Sequence, residues 1–573
     1  MSRTRSLEIW HVPKRQNVHQ VIGSIQILAS SDFNGKSWNT QRKETFNTKL
    51  GQAGLTNNGH PLSQSARRTH EALLKYLGLI YIKKDTTPST LIVTNAGLEL
   101  IRIHDSLLNK TRNLRAIGRQ EIKDSPVVKR QMVKLQLTNP VVSEDCLSIL
   151  LFPFRVTLRL LLELDYLAKE ELAYIVFSMK KEDEFDLTVE RIRNFRSLPK
   201  LQRERELELF KETEVGNLTL VQAPTAGYYM GLCIGTGLCE REKGKLVIRA
   251  ECEVEVKQLI TKYKDVKPFN FGDDLRLWIE YFGDTTRDEP PILVDVSVKN
   301  NPHLYVKVYD TAGEEINAGV ISSESTSIAF PLFRNEQYIF KFYSFDNAKL
   351  ITEETHTVSD ESVEFDLDLE GNDKADLSFE SIKHKIELLL SNSGFDPDYT
   401  SHIENVKKIS GRTVFNTAQL RGGRLEHLFY LLLKNLKEQG IVDDVVWDGL
   451  VDPFGIAYPA GAGKLADPDL HLFIGNNLYG LELTTIRGEA GSMQWSNEAA
   501  SANEHFMNIN NKLGGTYDFD GIFSAPSISK RVSGMYEYIS AKENVRHHAI
   551  AVDDLIKALE TGKAGLDALL AKS

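Results

Sequence analysis

The sequence predicts a multidomain α+β chain: two winged-helix-like subdomains, a central β-sandwich-like module and a C-terminal α/β domain. Three observations predict it. A chain of 573 residues is too long for one hydrophobic core and calls for several domains of about 100 to 200 residues each. The apolar pattern changes along the chain, from helical spacing with short hairpins, to strict alternation between 292 and 372, to strands alternating with helices from Asp376 onward. The charge is uneven: the net value is −10, yet residues 1–134 hold 22 Lys and Arg against 9 Asp and Glu, and the remainder 47 against 70. A basic region on an acidic protein is the footprint of a part that holds a polyanion, although a solvated basic surface gives the same count.

These changes divide the chain at 1–135, 136–290, 291–373 and 374–573. In the first segment, Ser65–Leu79 reads as an amphipathic helix with Arg67, Arg68 and His70 partly outward. Ile80–Ile82 and Leu91–Thr94 read as strands around a basic turn at Lys83 and Lys84, closed by a helix from Asn95. Helix, basic hairpin and helix are the sequence form of a winged helix.

The second segment repeats the style less clearly. A helix spans about Lys129–Leu137. Leu162–Leu172 and Tyr174–Phe177 read as two helices joined at Ala168, and Gly231–Gly237 with Lys245–Arg249 as strands of a second wing. In 291–373, Val294, Val296 and Val298, then Leu304, Val306 and Val308, then Tyr338, Phe340 and Phe342 alternate between turn signals, which predicts an all-β module. Its acidity argues against lying along a polyanion. Glu370–Asp373 reads as a linker. Beyond it, helices are expected at Phe379–Leu390 and Arg424–Gly440, and strands at Leu470–Ile474, Leu478–Thr485, Gly521–Ser524 and His548–Val552.

The four cysteines form neither a CxxC pair nor a disulfide framework, and read as buried thiols. No apolar run reaches the roughly 18 residues of a membrane span, and the N-terminus lacks a signal peptide's apolar core, so a cytoplasmic location and no membrane partner are expected. Gly461-Ala462-Gly463-Lys464 is not a phosphate loop, since Tyr458 and Leu465 stand where glycine and a hydroxyl residue are required.

The segment carrying chemistry is Ala466–Thr485. A two-residue turn at Gly475-Asn476 pairs Ile474 with Asn477 and therefore sets Asp469 opposite Glu482, with Cβ atoms about 4.5 to 5.5 Å apart. Like charges so placed cost stability unless a cation lies between them, and hard oxygen ligands suit Mg2+. An exposed acidic hairpin with a different turn is the bland alternative. The other face, Leu470, Leu472, Ile474, Tyr479, Leu481 and Leu483, is expected to bury against Leu425, Leu428, Phe429, Leu432 and Leu436 of the helix from Arg424. Glu426, near that helix's first turn, is either a helix-dipole partner or a further carboxylate aimed at the site. In a helix over Met493–His505, Gln494 and Glu498 share a face, with His505 one heptad beyond Glu498; this is an ordinary polar face or a second metal position.

Pro468-Asp469 followed by Glu482-Leu483-Thr484 resembles the PD-(D/E)xK nuclease motif, with Thr484 in the usual lysine's place. With Gln494, Glu498 and His505 added, it is similar to the AlwI-like type II restriction endonucleases. Val128–Leu137, Gly231–Val247, Tyr281-Phe282-Gly283 and Phe523-Ser524-Ala525-Pro526 also resemble that family, which thus covers most of the chain. The β module stands where the family suggests a mainly helical connection.

The resemblance implies a restriction-endonuclease-like α/β nuclease domain. It makes Asp469 and Glu482 catalytic metal ligands for Mg2+, Glu498 a further ligand and Glu426 a further catalytic carboxylate. Lacking the lysine, water activation falls to metal-bound hydroxide or to Lys464 or Gln494. The implied partner is double-stranded DNA, bound through the N-terminal basic residues Arg67, Arg68, Lys83 and Lys84. Cleavage is expected at an offset from an asymmetric site, as in type IIS enzymes, with a second copy or partner subunit needed to cut both strands. The rival reading is a non-catalytic DNA-binding regulator on a degenerate nuclease fold.

Overall fold

The structure is a computed structural model that describes residues 9–13, 18–53, 55, 64–83, 89–108, 125–140, 149–272, 274–299, 303–322, 325–345, 348–367, 377–391, 395, 397–411, 416–459, 467–513, 516–543 and 545–572. The chain divides into two compact units, Met1–Pro291 and Ile292–Ser573.

The first unit runs α1 (Val18–Leu28), β1 (Lys36–Ser37), α2 (Thr40–Gln52), α3 (Gln64–Tyr76), β2 (Ile80–Lys83), β3 (Thr90–Val93), α4 (Asn95–Leu108) and α5 (Pro126–Lys134). Next come α6 (Pro153–Leu164), α7 (Lys169–Tyr174), α8 (Phe185–Ser197), α9 (Lys200–Glu212), α10 (Glu214–Gly216), α11 (Thr225–Gly235), β4 (Cys239–Glu242), β5 (Lys245–Ile248), α12 (Glu253–Lys262) and α13 (Leu275–Phe282). Strands β2 and β3 pair antiparallel with Ile82 against Leu91, and β1 joins β3 to give the order β1-β3-β2. Helix α5 ties the two halves together: the buried Gln131 donates to Leu77 O at 3.0 Å and Phe282 O at 2.6 Å, and the buried Lys134 to Tyr281 O at 2.5 Å. Burial pushes the Lys134 ammonium down to about 7.

Three expectations are corrected here. His70 does not face outward: it is buried, with Nδ1 2.9 Å from Ser24 Oγ, because its side of α3 packs on α1. Gly231–Gly237 is not a strand. It lies at the end of α11, where Tyr229, Met230, Leu232 and Cys233 are buried from a nearly all-apolar run that lacks strand alternation. The hairpin is Cys239–Ile248, turning at Lys243 (φ 48°) and Gly244 (φ 85°), a left-handed pair suited to a two-residue turn. The helices flanking Ala168 are Pro153–Leu164 and Lys169–Tyr174, shifted from their expected ends; Glu171 accepts from Ala168 N at 2.8 Å.

The second unit opens with β6 (Ile292–Val298), β7 (Leu304–Tyr309), β8 (Glu315–Ile321), β9 (Ser327–Leu332), β10 (Gln337–Ser344), β11 (Leu350–Thr357) and β12 (Ser362–Phe365). These make sheets β11-β10-β7-β8 and β12-β6-β9 around one core that contains the alternating Val294, Val296, Val298, Val306, Val308, Phe340 and Phe342. The chain continues through α14 (Phe379–Leu390), α15 (Pro397–Ser410), α16 (Thr417–Glu438), β13 (Asp444–Trp447), β14 (Leu450–Val451), β15 (Ala457–Tyr458), β16 (Leu470–Ile474), β17 (Asn477–Leu483), α17 (Gly491–Gln494), α18 (Ala500–Leu513), β18 (Asp518–Ala525), α19 (Lys530–Glu543), β19 (His547–Ala551), α20 (Val552–Glu560) and α21 (Lys563–Leu570). Glu370–Asp373 lies outside the described residues.

The β module is joined to α15 and to the loop before β15 by a shared core of Tyr305, Val320, Tyr399, Ile403, Val406 and Phe454. Tyr305 Oη is 2.9 Å from His402 Nδ1, and Val320 N donates to Pro453 O at 2.7 Å.

The last sheet has the order β13-β16-β17-β18-β19, antiparallel through β17 and parallel beyond it. One core joins Leu470, Leu472, Ile474, Tyr479, Leu481 and Leu483 to Leu425, Leu428, Phe429, Leu432 and Leu436 of α16. A second core, with Leu478, Phe506, Phe519, Phe523, Val532 and Tyr536, covers the sheet with α18 and α19. The sheet is thus a middle layer between helices.

Candidate active site

The hairpin register is Ile474↔Asn477 through Leu470↔Leu481, turning at Gly475 (φ 59°) and Asn476. One step beyond Leu470 and Leu481 stand Asp469 and Glu482, within hydrogen-bonding reach of each other. Leu483 N donates to Asp469 Oδ2 at 2.9 Å, which anchors the carboxylate across the end of the ladder. Pro468 lies close over a glycine: a Cβ on Gly480 would meet Pro468 Cγ at 2.9 Å and the Phe519 ring at 3.0 Å.

Gly480 pairs with Gly521 on β18, and a Cβ there would stand 2.5 Å from the Phe506 ring of α18. Two adjacent glycines thus let α18 lie close on the sheet. The neighbouring His505 is brought to Glu482, its Nδ1 2.5 Å from Oε1, with Nε2 3.4 Å from Ser501 Oγ. Burial holds the His505 imidazole below its ordinary range, opposed by Glu504 and Asp467.

Glu498 reaches the group from a distorted helix. The expected regular helix over Met493–His505 is interrupted by a π-turn, Trp495–Ala499, between α17 and α18. Tyr536 Oη donates to Ala499 O at 2.9 Å where the π-turn ends. Such single-turn π segments recur at functional sites. Gln494 is fully buried and fully used: Nε2 donates to Ile486 O at 2.9 Å and Ser527 O at 2.8 Å, and Oε1 accepts from Ser529 N at 2.9 Å. It clamps two loops and is withdrawn as a water-activating group.

Glu426 sits differently from expectation too. Helix α16 begins at Thr417, capped by Asn416, so Glu426 lies well inside the helix and the helix-dipole reading falls. It is only 3% exposed, and its Oε2 accepts from Trp447 Nε1 at 3.0 Å. Thr484 is buried, its Oγ1 accepting from Ile486 N at 3.1 Å, so it supports the chain rather than standing in for a lysine. Lys464 lies outside the described residues, as do Lys84 and the Arg67 side chain; Arg68 and Lys83 are exposed.

The electrostatics follow from crowding. Burial first, then Glu482 and Glu498, raise the Asp469 carboxyl well above its ordinary range, opposed by the Leu483 N–H. Burial, then Glu426 and Glu498, push Glu482 up to about 8. Burial raises Glu498 as well. Among the described residues no three such side chains converge as a finished metal cage. The donor set nevertheless suits a hard divalent cation: Asp469 and Glu482, whose charged forms are disfavoured by burial and by the nearby Glu498 and, for Glu482, Glu426, would be relieved by a positive ion and take protons in its place.

Among the described residues no helix is long and apolar enough to cross a membrane. No curated protein matches the chain. Solved structures resembling it include restriction endonuclease FokI, at 11% identity over 98% of this chain and 97% of that one, with a TM-score of 0.23. The small subunit of the heterodimeric restriction endonuclease R.BspD6I shares 15% identity over 30% of this chain and 87% of its own (TM-score 0.22). The BpuJ1 endonuclease binding domain, solved with modified DNA, shares 15% over 49% of this chain and 100% of its own (TM-score 0.34). At such scores these likenesses carry no argument about chemistry. The AlwI restriction endonuclease model matches residues 75–269, inside the first unit and apart from the carboxylate cluster. Over residues 75–269 the chain is thus similar to the AlwI restriction endonuclease family.

Proposed function

We propose that the chain is a site-specific DNA endonuclease that hydrolyses phosphodiester bonds with the help of Mg2+. The observation that carries the reading is the buried pair Asp469 and Glu482 at the end of the hairpin, with the charges of Glu482 and Glu498 raising the Asp469 carboxyl and those of Glu426 and Glu498 raising Glu482. Asp469 and Glu482 would hold the cation, with Glu498 a further ligand and Glu426 completing the acidic set. A bound Mg2+ supplies a more acidic water and neutralises charge that develops on the phosphate. The chain's own residues do the rest: Leu483 N–H and His505 fix the orientation of Asp469 and Glu482, and the packed helices on both faces restrict water.

DNA reading is assigned to the first unit. The order helix, strand, two helices and an antiparallel pair supports a winged helix there, and the exposed Arg68 and Lys83 lie on its third helix and at the edge of its hairpin. Arg67 and Lys84 complete that set as proposed contacts. The two sheets of the β module support the β-sandwich reading. Reading and cutting residues in separate units favour cleavage at an offset from an asymmetric site, as in type IIS enzymes. One cluster per chain cuts one strand, so double-strand cleavage would draw on a transient second copy or a partner subunit.

The test is plasmid cleavage by the full chain and by Asp469→Ala, with and without Mg2+. Discrete ends that require the metal and vanish in the variant support the endonuclease. Binding without cutting, unchanged in the variant, would move the chain to the class of non-catalytic DNA-binding proteins.

A further inference from the structure

Glu426 approaches the site from α16, a helix that packs on the face of the sheet formed by Leu470, Leu472 and Leu481. A carboxylate held there at 3% exposure needs a donor to keep its charge and its direction. Trp447 supplies one. Its indole N–H donates to Glu426 Oε2 at 3.0 Å, and its ring lies against His427 and Tyr430 of the same helix, with centroids 5.1 and 5.7 Å away at 26° and 31°.

The ring is also fixed from behind. A Cβ on Gly449 would fall 2.1 Å from the indole, so the chain can pass beneath the ring only as glycine. Trp447 ends β13 paired with Leu470, and the next residue, Asp448, donates its backbone N–H to Asp469 O at 3.2 Å. Consecutive residues therefore bond the Glu426 carboxylate on the helix and the backbone carbonyl of Asp469 just before β16.

We propose that Trp447 is a positioning residue: it aims Glu426 at Glu482 and thereby sets how tightly the cluster takes a divalent cation. The proposal rests on the cation-binding reading of that cluster. A stacked core tryptophan without this role would affect folding alone, and the two are separable because Trp447→Phe keeps the ring on His427 and Tyr430 while deleting the N–H.

The full-length, metal-free protein is titrated calorimetrically with Mn2+, and plasmid cleavage is followed against Mg2+ concentration, for wild type, Trp447→Phe, Glu426→Gln and the double variant. Trp447→Phe is expected to weaken Mn2+ binding about tenfold and to raise the Mg2+ needed for half-maximal rate by the same factor, with KM for DNA within about twofold of wild type. The double variant is expected to be no worse than Glu426→Gln, since both changes remove one interaction. Gly449→Ala, which displaces the ring, should reproduce the Trp447→Phe behaviour and serves if Trp447→Phe does not fold. Unchanged Mn2+ affinity in the folded variants, or losses that multiply in the double variant, would overturn the proposal. Asp469→Ala separates the two failures: if it loses Mn2+ binding and cleavage while Trp447→Phe loses neither, only the role of Trp447 falls. If Asp469→Ala keeps both, the cation site falls and the role of Trp447 with it.

Discussion

Glu482 and His505, 23 residues apart in the chain, meet at 2.5 Å because Gly521 lets the Phe506 turn of α18 rest on the sheet. The imidazole Nδ1 is hydrogen-bonded to one oxygen of the Glu482 carboxyl and fixes its direction. His505→Ala is therefore expected to slow cleavage about 10- to 100-fold with DNA binding retained, the usual cost of losing a partner that orients a ligand. Parallel cleavage and gel-shift assays check it, and an unaltered rate would remove His505 from the site.

That close approach makes Gly521 intolerant. Gly521→Ala drives a methyl to 2.5 Å from Phe506, including its Cγ, which cannot swing aside. Overpacking of this kind costs about 1 to 3 kcal/mol. A lower thermal midpoint accompanied by reduced cleavage is expected. Stability equal to wild type in calorimetry would mean that α18 packs elsewhere.

Two buried histidines give the protein an acid-sensitive side. Burial pushes His70 down to about 4, and burial followed by the neighbouring His548 does the same to His547, against an ordinary value of 6.5. The unfolded chain takes these protons near 6.5 and the folded chain only near 4. The stability is therefore complete above about 6.5 and is lost as pH falls toward 4. At pH 5 each histidine accounts for about 2 kcal/mol of loss. Denaturant titrations from pH 7 to 5 on wild type and His70→Gln test this, the variant showing the flatter dependence; equal slopes would contradict it.

For the first unit, each phosphate contact removed should lower the salt dependence of DNA binding by about one unit of log–log slope. Arg68→Ala and Lys83→Ala are expected to do so, which binding measured across a salt series will show. Slopes unchanged in both would send the search for the DNA surface to other basic residues of that unit.

Much of this protein was legible in the sequence, and the legible parts share a cause. Period-two alternation marked the β module's inward residues and the apolar face of the hairpin that carries Asp469, and the turn at Gly475-Asn476 set its register, because side-chain direction in a strand follows from position alone. The pairing of Asp469 with Glu482 is a local consequence of that register. Where the pattern was uniformly apolar, as in Gly231–Gly237, strand and helix could not be told apart, and burial within the first unit chose the helix.

Only tertiary structure decided the rest. Whether Glu426 serves a helix end or the carboxylate cluster depends on where α16 starts and on the indole of Trp447. The turn of Glu498 relative to Gln494 depends on a π-turn bounded by Tyr536, and the meeting of His505 with Glu482 on two glycines in neighbouring strands. Contacts between residues far apart in the chain arise from the mutual packing of whole elements, and no periodicity within one element encodes them.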